Sequence, residues 1–224
     1  MNSLVDELEA ARDLEVDALA DAIESIGFEC THCGACCRGT EADEHTATVF
    51  PDEIRTLGPS QGAENDAEYD WRDIARPMPY GLREGSDGLE GETFEWALQT
   101  DGCGDCTFYD PTADGGGCTV HENRPLICRT YPFSVALEGT SQPMGEAVDE
   151  AGIVRAHECE GLGRDIDRKE AETLAATLKR RAIRELEEAI AVLERYQSVD
   201  ADGVVVHDSE GAKRPDGTPL ERPQ

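Results

Sequence analysis

Basic residues are scarce in this chain and lysine is almost absent. Of 224 residues, 20 are Lys or Arg against 49 Asp or Glu, for a formal net charge of −29. The only lysines are Lys169, Lys179 and Lys213. A surface of this sign lacks the basic face that phosphate contacts need, which excludes general nucleic-acid binding. It suits a protein kept soluble in concentrated salt, where screening removes most self-repulsion, so a salt-loving (halophilic) source is expected. Long apolar runs are also missing. No stretch approaches the ~18 residues of a membrane span, and the first residues show no basic region leading into an apolar run. No membrane association and no secretory signal are expected, and the location reads as cytoplasmic. Aromatics make up 5% of the chain and the hydrophobic set 38%, so the length permits one lean core. A metal centre tying distant segments together would supply part of what such a core lacks.

Cysteine is the exception to this scarcity. There are nine, an odd number that suits disulfide pairing poorly, least of all in a reducing cytoplasm. Four crowd into Cys30-Thr-His-Cys33-Gly-Ala-Cys36-Cys37. Thiolates at C-x-x-C spacing can turn back onto one soft ion, and Gly34 with Ala35 keeps the turn small. Adjacent side chains tend to diverge, so Cys36 and Cys37 are expected to face different ways, Cys37 serving another edge of a cluster or a second ion. Several complete sites are excluded by spacing. The C-x₃-C-P step of a bacterial ferredoxin run is missing, and no C-x-x-C-H haem attachment occurs. Sixty-six residues separate Cys36 from Cys103, against the roughly 15–20 of a two-knuckle zinc site. Cys103-Gly-Asp-Cys106 has dithiol spacing, but no βαβ pattern surrounds it.

Around the cysteines the pattern predicts few long elements. Leu4, Leu8, Ala11, Leu19, Ala22 and Ile26 recur at helical spacing, giving one amphipathic packing helix over 3–26 with Ser3 as its cap and Gly27 as its stop. Its outer face is acidic: residues 1–29 carry nine acids against Arg12. Pro51 and Gly58 bracket a short helix within 49–58. Residues 59–93, rich in Gly, Pro and acid, read as a loop-dominated insert. A strand is expected at Phe94–Leu98. The glycine run Gly115 to Gly117 leads to Cys118. Pro125 opens and Tyr131, before Pro132, closes a short helix carrying Cys128, and a strand follows over Phe133 to Leu137. Ala171, Leu174, Leu178, Ala182, Leu186, Ile190 and Leu193 make the apolar stripe of a helix over 167–197, electrically neutral and laced with ion pairs. Val204-Val-Val206 suggests an edge strand, and the last dozen residues read as mobile.

These residues resemble a known family. Phe28-x-Cys30-x-x-Cys33-x-x-Cys36-Cys37, Cys106-x-Phe-Tyr, Cys118, Arg124-Pro-x-x-Cys128-Arg-x-Tyr-Pro-Phe133, and Cys159 before Gly161-Leu-Gly163 are similar to the YkgJ-type cysteine-cluster (CxxCxxCC) proteins, which are described as zinc- or iron-chelating. The resemblance spans roughly residues 28–163. It implies eight metal ligands, Cys30, Cys33, Cys36, Cys37, Cys106, Cys118, Cys128 and Cys159, with Cys103 as an extra. His121 stands where the family often has an aromatic residue. Family members are labelled iron–sulfur oxidoreductases or hydrolases, and some resemble flagellin lysine methylases.

Eight thiolates would serve two Cys₄ zinc sites or one or more iron–sulfur clusters. Either leaves a net anion, and the arginines beside the cysteines suit it. Arg38 follows Cys37 and Arg129 follows Cys128, placed to donate hydrogen bonds to sulfur. Arg124 and Arg129 are candidates for holding an anionic substrate or the cluster, and Tyr131 is the nearest side chain able to transfer a proton. His32 lies inside the first cysteine group, and His121 and His157 sit near Cys118 and Cys159 as possible ligands or proton carriers; His45 and His207 read as surface residues. The fold class expected is α+β, a small irregular cysteine-rich metal-binding core with short strands between an N-terminal and a long C-terminal helix. Its parts are a packing helix (1–27), the metal-binding domain (28–165), a helix (166–198) and a polar tail (199–224). Three functions are compatible. The number of thiolates favours an iron or iron–sulfur centre with a redox or metal-dependent enzymatic role. The alternatives are a zinc-stapled scaffold and a metal chelation or delivery protein.

Overall fold

The computed structural model describes residues 3–39, 45–58, 70–86, 88–112, 117–142, 147–149, 152–199 and 201–220. Its elements in chain order are α1 (Leu4–Asp13), α2 (Val16–Ile26), β1 (Thr48–Val49), α3 (Pro51–Leu57), β2 (Ala75–Pro77), β3 (Leu82–Gly85), β4 (Gly88–Thr93) and β5 (Trp96–Leu98). They continue with β6 (Tyr109–Asp110), β7 (Gly117–Cys118), α4 (Leu126–Thr130), β8 (Phe133–Val135), β9 (Ala147–Asp149), β10 (Val154–His157), α5 (Arg168–Arg195), β11 (Val204–Asp208) and β12 (Gly211–Lys213). The fold is therefore α+β with an N-terminal helical segment and a long C-terminal helix, as expected. Among the described residues no helix is long and apolar enough to cross a membrane. The chain forms two compact units: Met1–Arg38 with Tyr109–Glu187, and Gly39–Phe108 with Glu188–Gln224.

In the first unit, α1 begins on a capping box. The Ser3 hydroxyl accepts from the Asp6 amide at 3.1 Å, and the Asp6 carboxylate accepts from the Ser3 amide at 3.0 Å, satisfying two donors that a helix start leaves open. The expected single helix over 3–26 is broken. Leu14 is extended (φ −57°, ψ 126°), and its carbonyl accepts from Lys179 Nζ at 2.7 Å. A tertiary partner on α5 thus takes the carbonyl that an unbroken helix would use internally. The apolar stripe of α5 matches the sequence reading: Ala171, Leu178, Ala182 and Leu186 are buried, together with Leu8, Ala11, Leu19 and Ile23 of α1 and α2. Leu174 and Ile190 are half-buried, and Leu193 is exposed at the far end of the stripe. Phe133, Val135, Val154 and Ala156 join this core from a three-stranded antiparallel sheet in the order β8-β10-β9. Each fully buried side chain of this size stabilises by about 1.5–3 kcal/mol.

At the centre of this unit lies a charge. Arg181 is 2% exposed. Its Nε donates to Glu185 Oε1 at 2.8 Å, and its Nη1 to Thr130 Oγ1 at 3.0 Å and the Phe133 carbonyl at 3.1 Å, while Nη2 donates to the Ser141 carbonyl. The buried guanidinium has a counter-ion and three oxygen partners, the condition under which such a group is tolerated.

The second unit holds two sheets. One is antiparallel in the order β1-β5-β2, and the other runs β12-β11-β4-β3, with β11 parallel to β4. Residues expected as a loop-rich insert therefore supply β2, β3 and β4; positions 59–69 of that stretch lie outside the described residues. The glycines that suggested a loop sit in the β3–β4 hairpin. Gly91 (φ +127°) faces a backbone so close that a Cβ would stand 2.7 Å from the Gly81 carbonyl. The expected edge strand at 204–206 is internal, flanked by β12 and β4. The tail expected to be mobile turns back and pairs, the Leu220 amide donating to the Ala212 carbonyl at 2.8 Å; residues 221–224 lie outside the description. His45 and His207, expected at the surface, are buried. Trp96, Leu98, Ile54, Leu57, Ile74 and Val206 form the core, edged by Asp208, which accepts from Trp96 Nε1 at 2.9 Å and from Lys213 Nζ at 2.7 Å.

Candidate metal centre

The first unit brings together two stretches of chain far apart in sequence. Phe28 bridges Leu162 in antiparallel fashion. The Glu29 amide donates to the Gly161 carbonyl at 3.1 Å, and the Gly163 amide to the Gly27 carbonyl at 3.0 Å. This short ladder sets Cys30 and Cys159 on adjoining strands, each just outside the pairing. It needs glycine at 161, where a Cβ would stand 2.3 Å from the Glu29 carbonyl oxygen. Phe28 anchors the ladder to the core with its ring edge-on to Phe133 at 5.6 Å. Tyr131 fastens the other side of the loop, its hydroxyl donating to the Glu158 carbonyl.

From Cys30 the chain enters a tight turn. His32 takes a left-handed conformation (φ 57°) and so does Gly34 (φ 70°), after which Ala35–Cys37 forms one 3₁₀ turn with the Cys37 amide donating to the Gly34 carbonyl at 2.9 Å. The tightness of that turn overturns the expectation for Cys36 and Cys37. Their sulfurs stand 4.0 Å apart instead of facing different ways. Gly34 is fixed by contact as well as conformation, because a Cβ there would lie 2.3 Å from Cε2 of Tyr109. Tyr109 is on β6, whose partner β7 places Cys118 directly opposite it. One aromatic ring thereby joins the Cys118 hairpin to the first cysteine turn.

Charge interactions map the rest of the group. The Cys159 thiol is pushed up by burial, with Cys33, Cys36 and Cys30 adding to the effect, while the Gly161 amide, 3.4 Å from its sulfur, opposes it. The Cys36 residue is exposed, and its thiol is lowered to about 7, first by the hydrogen bond from Cys37, against the partial desolvation of its sulfur, and then by the Arg124 charge. Cys118 is raised by burial and by Cys36, with Arg124 again opposing. Tyr131 is raised by burial first and then by Cys159, Cys36 and Cys33, so its phenol stays protonated and serves as a hydrogen-bond donor. Cys30, Cys33, Cys36, Cys37, Cys118 and Cys159 therefore share one neighbourhood with Tyr131 and Arg124. Arg124 is held there by its Nε donating to the His121 carbonyl at 3.0 Å. Arg38 and Arg129 are exposed, and among the described residues neither guanidinium is paired with a carboxylate.

The remaining cysteines are placed differently. Cys128 is half-buried at the middle of α4. Cys106, which is buried, and Cys103, which is exposed with its amide donating to Asp101 Oδ1 at 2.8 Å, belong to the second unit. None of the nine is in a disulfide. His157 is buried, its Nε2 3.1 Å from the Ser134 hydroxyl. Two contributors escaped the sequence reading. Tyr109 gave no signal beyond its place in Cys-x-Phe-Tyr, and Arg181 is one of several bases on a helix whose sequence reads only as neutral and laced with ion pairs.

Residues 29–160 match the CxxCxxCC family, described as a "putative zinc- or iron-chelating domain". The chain belongs to this family. No curated protein and no solved structure matches it. The CxxCxxCC donor set fits a thiophilic metal in kind, since thiolates are soft ligands suited to zinc and iron. It also fits in spacing at one pair: two sulfurs bound ~2.3 Å from one tetrahedral zinc stand about 3.8 Å apart, close to the 4.0 Å between Cys36 and Cys37. Among the described residues, no three Cys, His, Asp or Glu side chains stand close enough together to hold one ion. The thiols share a neighbourhood, but as a group they are spread more widely than the ligands of a single bound ion.

Proposed function

We propose that this CxxCxxCC domain carries an accessible iron or iron–sulfur centre with a redox or metal-dependent enzymatic role, in a reducing compartment such as the cytoplasm. The observation that carries the reading is where the thiols lie relative to the core. Cys30 and Cys36 are exposed, and Cys33, Cys37, Cys118 and Cys159 are half-buried, whereas the core of the same unit is made of helix and sheet side chains that include none of them. A structural zinc staple replaces a core that a small domain lacks, and here the core of that unit is built without these six cysteines. A centre at the surface, with more thiols than one closed tetrahedral site uses, is better suited to reaction or exchange.

Bound iron would supply redox or Lewis-acid chemistry at that surface. The ligands come from Cys30, Cys33, Cys36, Cys37, Cys118 and Cys159, with Cys128 and Cys106 as the further candidates that the family pattern supplies. Arg124 offsets the negative charge of the thiolates and offers a cation to an anionic substrate. Tyr131 holds the Cys159 loop through Glu158. Arg38 and Arg129 stand exposed for contacts from outside.

Anaerobic purification followed by metal analysis, an absorption spectrum and unfolding in the presence of chelator tests this. A brown protein containing iron, whose helical signal persists after the metal is stripped, is expected. A colourless protein with two zinc ions per chain that unfolds on chelation would establish the zinc-stapled scaffold instead. Rapid exchange of the ion into a chelator at neutral pH, with no redox or catalytic turnover, would point to metal delivery.

A further inference from the structure

We infer that His32 and His121 form a nitrogen-donor pair at the edge of the thiolate group, so that the metal centre is a mixed Cys/His site and not one of sulfur alone. This rests on the metal-centre reading above and adds ligands to it.

Three observations converge. First, the two imidazoles, 89 positions apart in sequence, face one another with ring centres 4.9 Å apart and planes tilted by 40°. Two imidazoles bound ~2.0–2.1 Å from one tetrahedral ion place their ring centres about 5 Å apart, so the spacing already suits a shared ion. Second, His121 Nε2 is buried and has no hydrogen-bond partner. A buried polar atom of this kind costs about 1–3 kcal/mol if nothing satisfies it, and a bound cation does so. Its other ring nitrogen is 3.8 Å from Glu122 Oε1, the type of carboxylate that orients a ligating imidazole from behind. Third, His32 is the only non-glycine among the described residues with positive φ (57°). Such a conformation is kept where surrounding structure uses it, and the residue that takes it here lays its ring against His121.

The neighbourhood selects a borderline ion. His32 stands between Cys30 and Cys33 in the first turn and His121 three residues past Cys118, so a nitrogen donor accompanies the thiols on each stretch, and burial first and the Arg124 charge second lower the basicity of His121. Imidazole plus thiolate suits Zn²⁺, Co²⁺ or Fe²⁺ over hard, oxygen-seeking cations.

The test uses the full chain loaded with Zn²⁺ and read by X-ray absorption. Alongside it, Co²⁺ affinity is measured for the wild type, His121→Phe and the double variant His32→Gln/His121→Gln. His121→Phe keeps a ring against His32 while deleting the donor, so it separates packing from ligation. A wild-type shell containing nitrogen at ~2.0–2.1 Å beside sulfur at ~2.3 Å is expected. That component should shrink in His121→Phe and vanish in the double variant, with Co²⁺ affinity reduced at least about tenfold. A wild-type shell of sulfur alone overturns the inference and leaves the metal reading standing, whatever the variants do. A nitrogen component undiminished in the folded double variant also overturns it. A chain that takes up no zinc or cobalt overturns both readings together.

Discussion

Among the described residues each unit buries one long cation, and the two are used differently. In the first, Arg181 reaches four oxygen partners, and two of them, Thr130 Oγ1 and the Phe133 carbonyl, flank the Tyr131-Pro132 step between the Cys128 helix and β8. In the second, Lys213 serves the chain that it closes: it meets Asp208 at 2.7 Å and Glu210 at 2.6 Å across the β11–β12 turn and lies over the Trp71 ring at 5.2 Å. Lys213 therefore secures a hairpin, while Arg181 secures the step that joins α4, which carries Cys128, to β8. A lean, acidic chain has placed these two of its few cations where backbone carbonyls and carboxylates are gathered inside.

Removing the cations tests that difference at its largest. Arg181→Met should cost about 3–5 kcal/mol, because Glu185 is left buried with its main counter-charge gone. Urea denaturation would measure it, and Arg181→Met/Glu185→Leu should recover most of the loss. Because Thr130 and Phe133 lose their partner, the single variant should also take up less metal at concentrations that saturate the wild type. Unchanged metal uptake would reduce Arg181 to a packing role. Lys213→Met should cost less, about 1–3 kcal/mol. Asp208 keeps two donors, Trp96 Nε1 at 2.9 Å and the Glu210 amide at 2.9 Å, and metal uptake should not change. Equal losses from the two substitutions would erase the distinction.

The same contrast explains what could be read in the sequence. The stripe of α5 and the Pro51 helix are local patterns, and both were legible. The break at Leu14 was not, because apolar periodicity continues through it and the interruption depends on Lys179, 165 positions away. The strands at 75–93 were obscured by glycines whose purpose, close approach of β4 to its neighbours, exists only once the sheet has formed. The cysteines were legible as types and spacings, and with them the family. What assembles them was not: the Gly27–Gly163 ladder, the Tyr109 ring against Gly34, and Arg181 beneath α4 are all long-range contacts between residues that look ordinary alone. His32 and His121 were visible only as single histidines near cysteines.

Gly34→Ala separates the rim of the first unit from its buried hub. A left-handed non-glycine residue costs roughly 1–2 kcal/mol, and the added Cβ must displace the Tyr109 ring, which lies 2.3 Å from where it would stand. The turn carrying Cys36 and Cys37 should shift, so the expected result is a modest fall in stability with a severe fall in metal stoichiometry. Arg181→Met is expected to show the opposite weighting. Metal analysis of the two purified variants side by side, at a temperature where both are folded, checks this. Full metal occupancy in Gly34→Ala would mean that the turn geometry is not what positions the two sulfurs.

The smallest effect concerns the exposed partner of the second hub. Arg55 binds Glu210 through both nitrogens, at 2.8 and 2.5 Å, and Lys213 adds a third contact. The Arg55 hydrogen bond first, opposed by burial, and then Lys213 pull the Glu210 carboxyl down from 4.5 to about 2. Its folded value lies below its unfolded one, so between them the unfolded chain binds more protons. The stability it contributes is fully present above about pH 4.5 and disappears as pH falls through about 2. Glu210 is 40% exposed, so solvent screening holds the contribution below about 1 kcal/mol. Urea midpoints for the wild type and Glu210→Gln should differ slightly at about pH 6 and converge as the pH approaches about 2. A gap between the wild type and Glu210→Gln that stays constant with pH would show that the carboxylate acts by hydrogen bonding and shape, and that its charge does not help hold the hairpin.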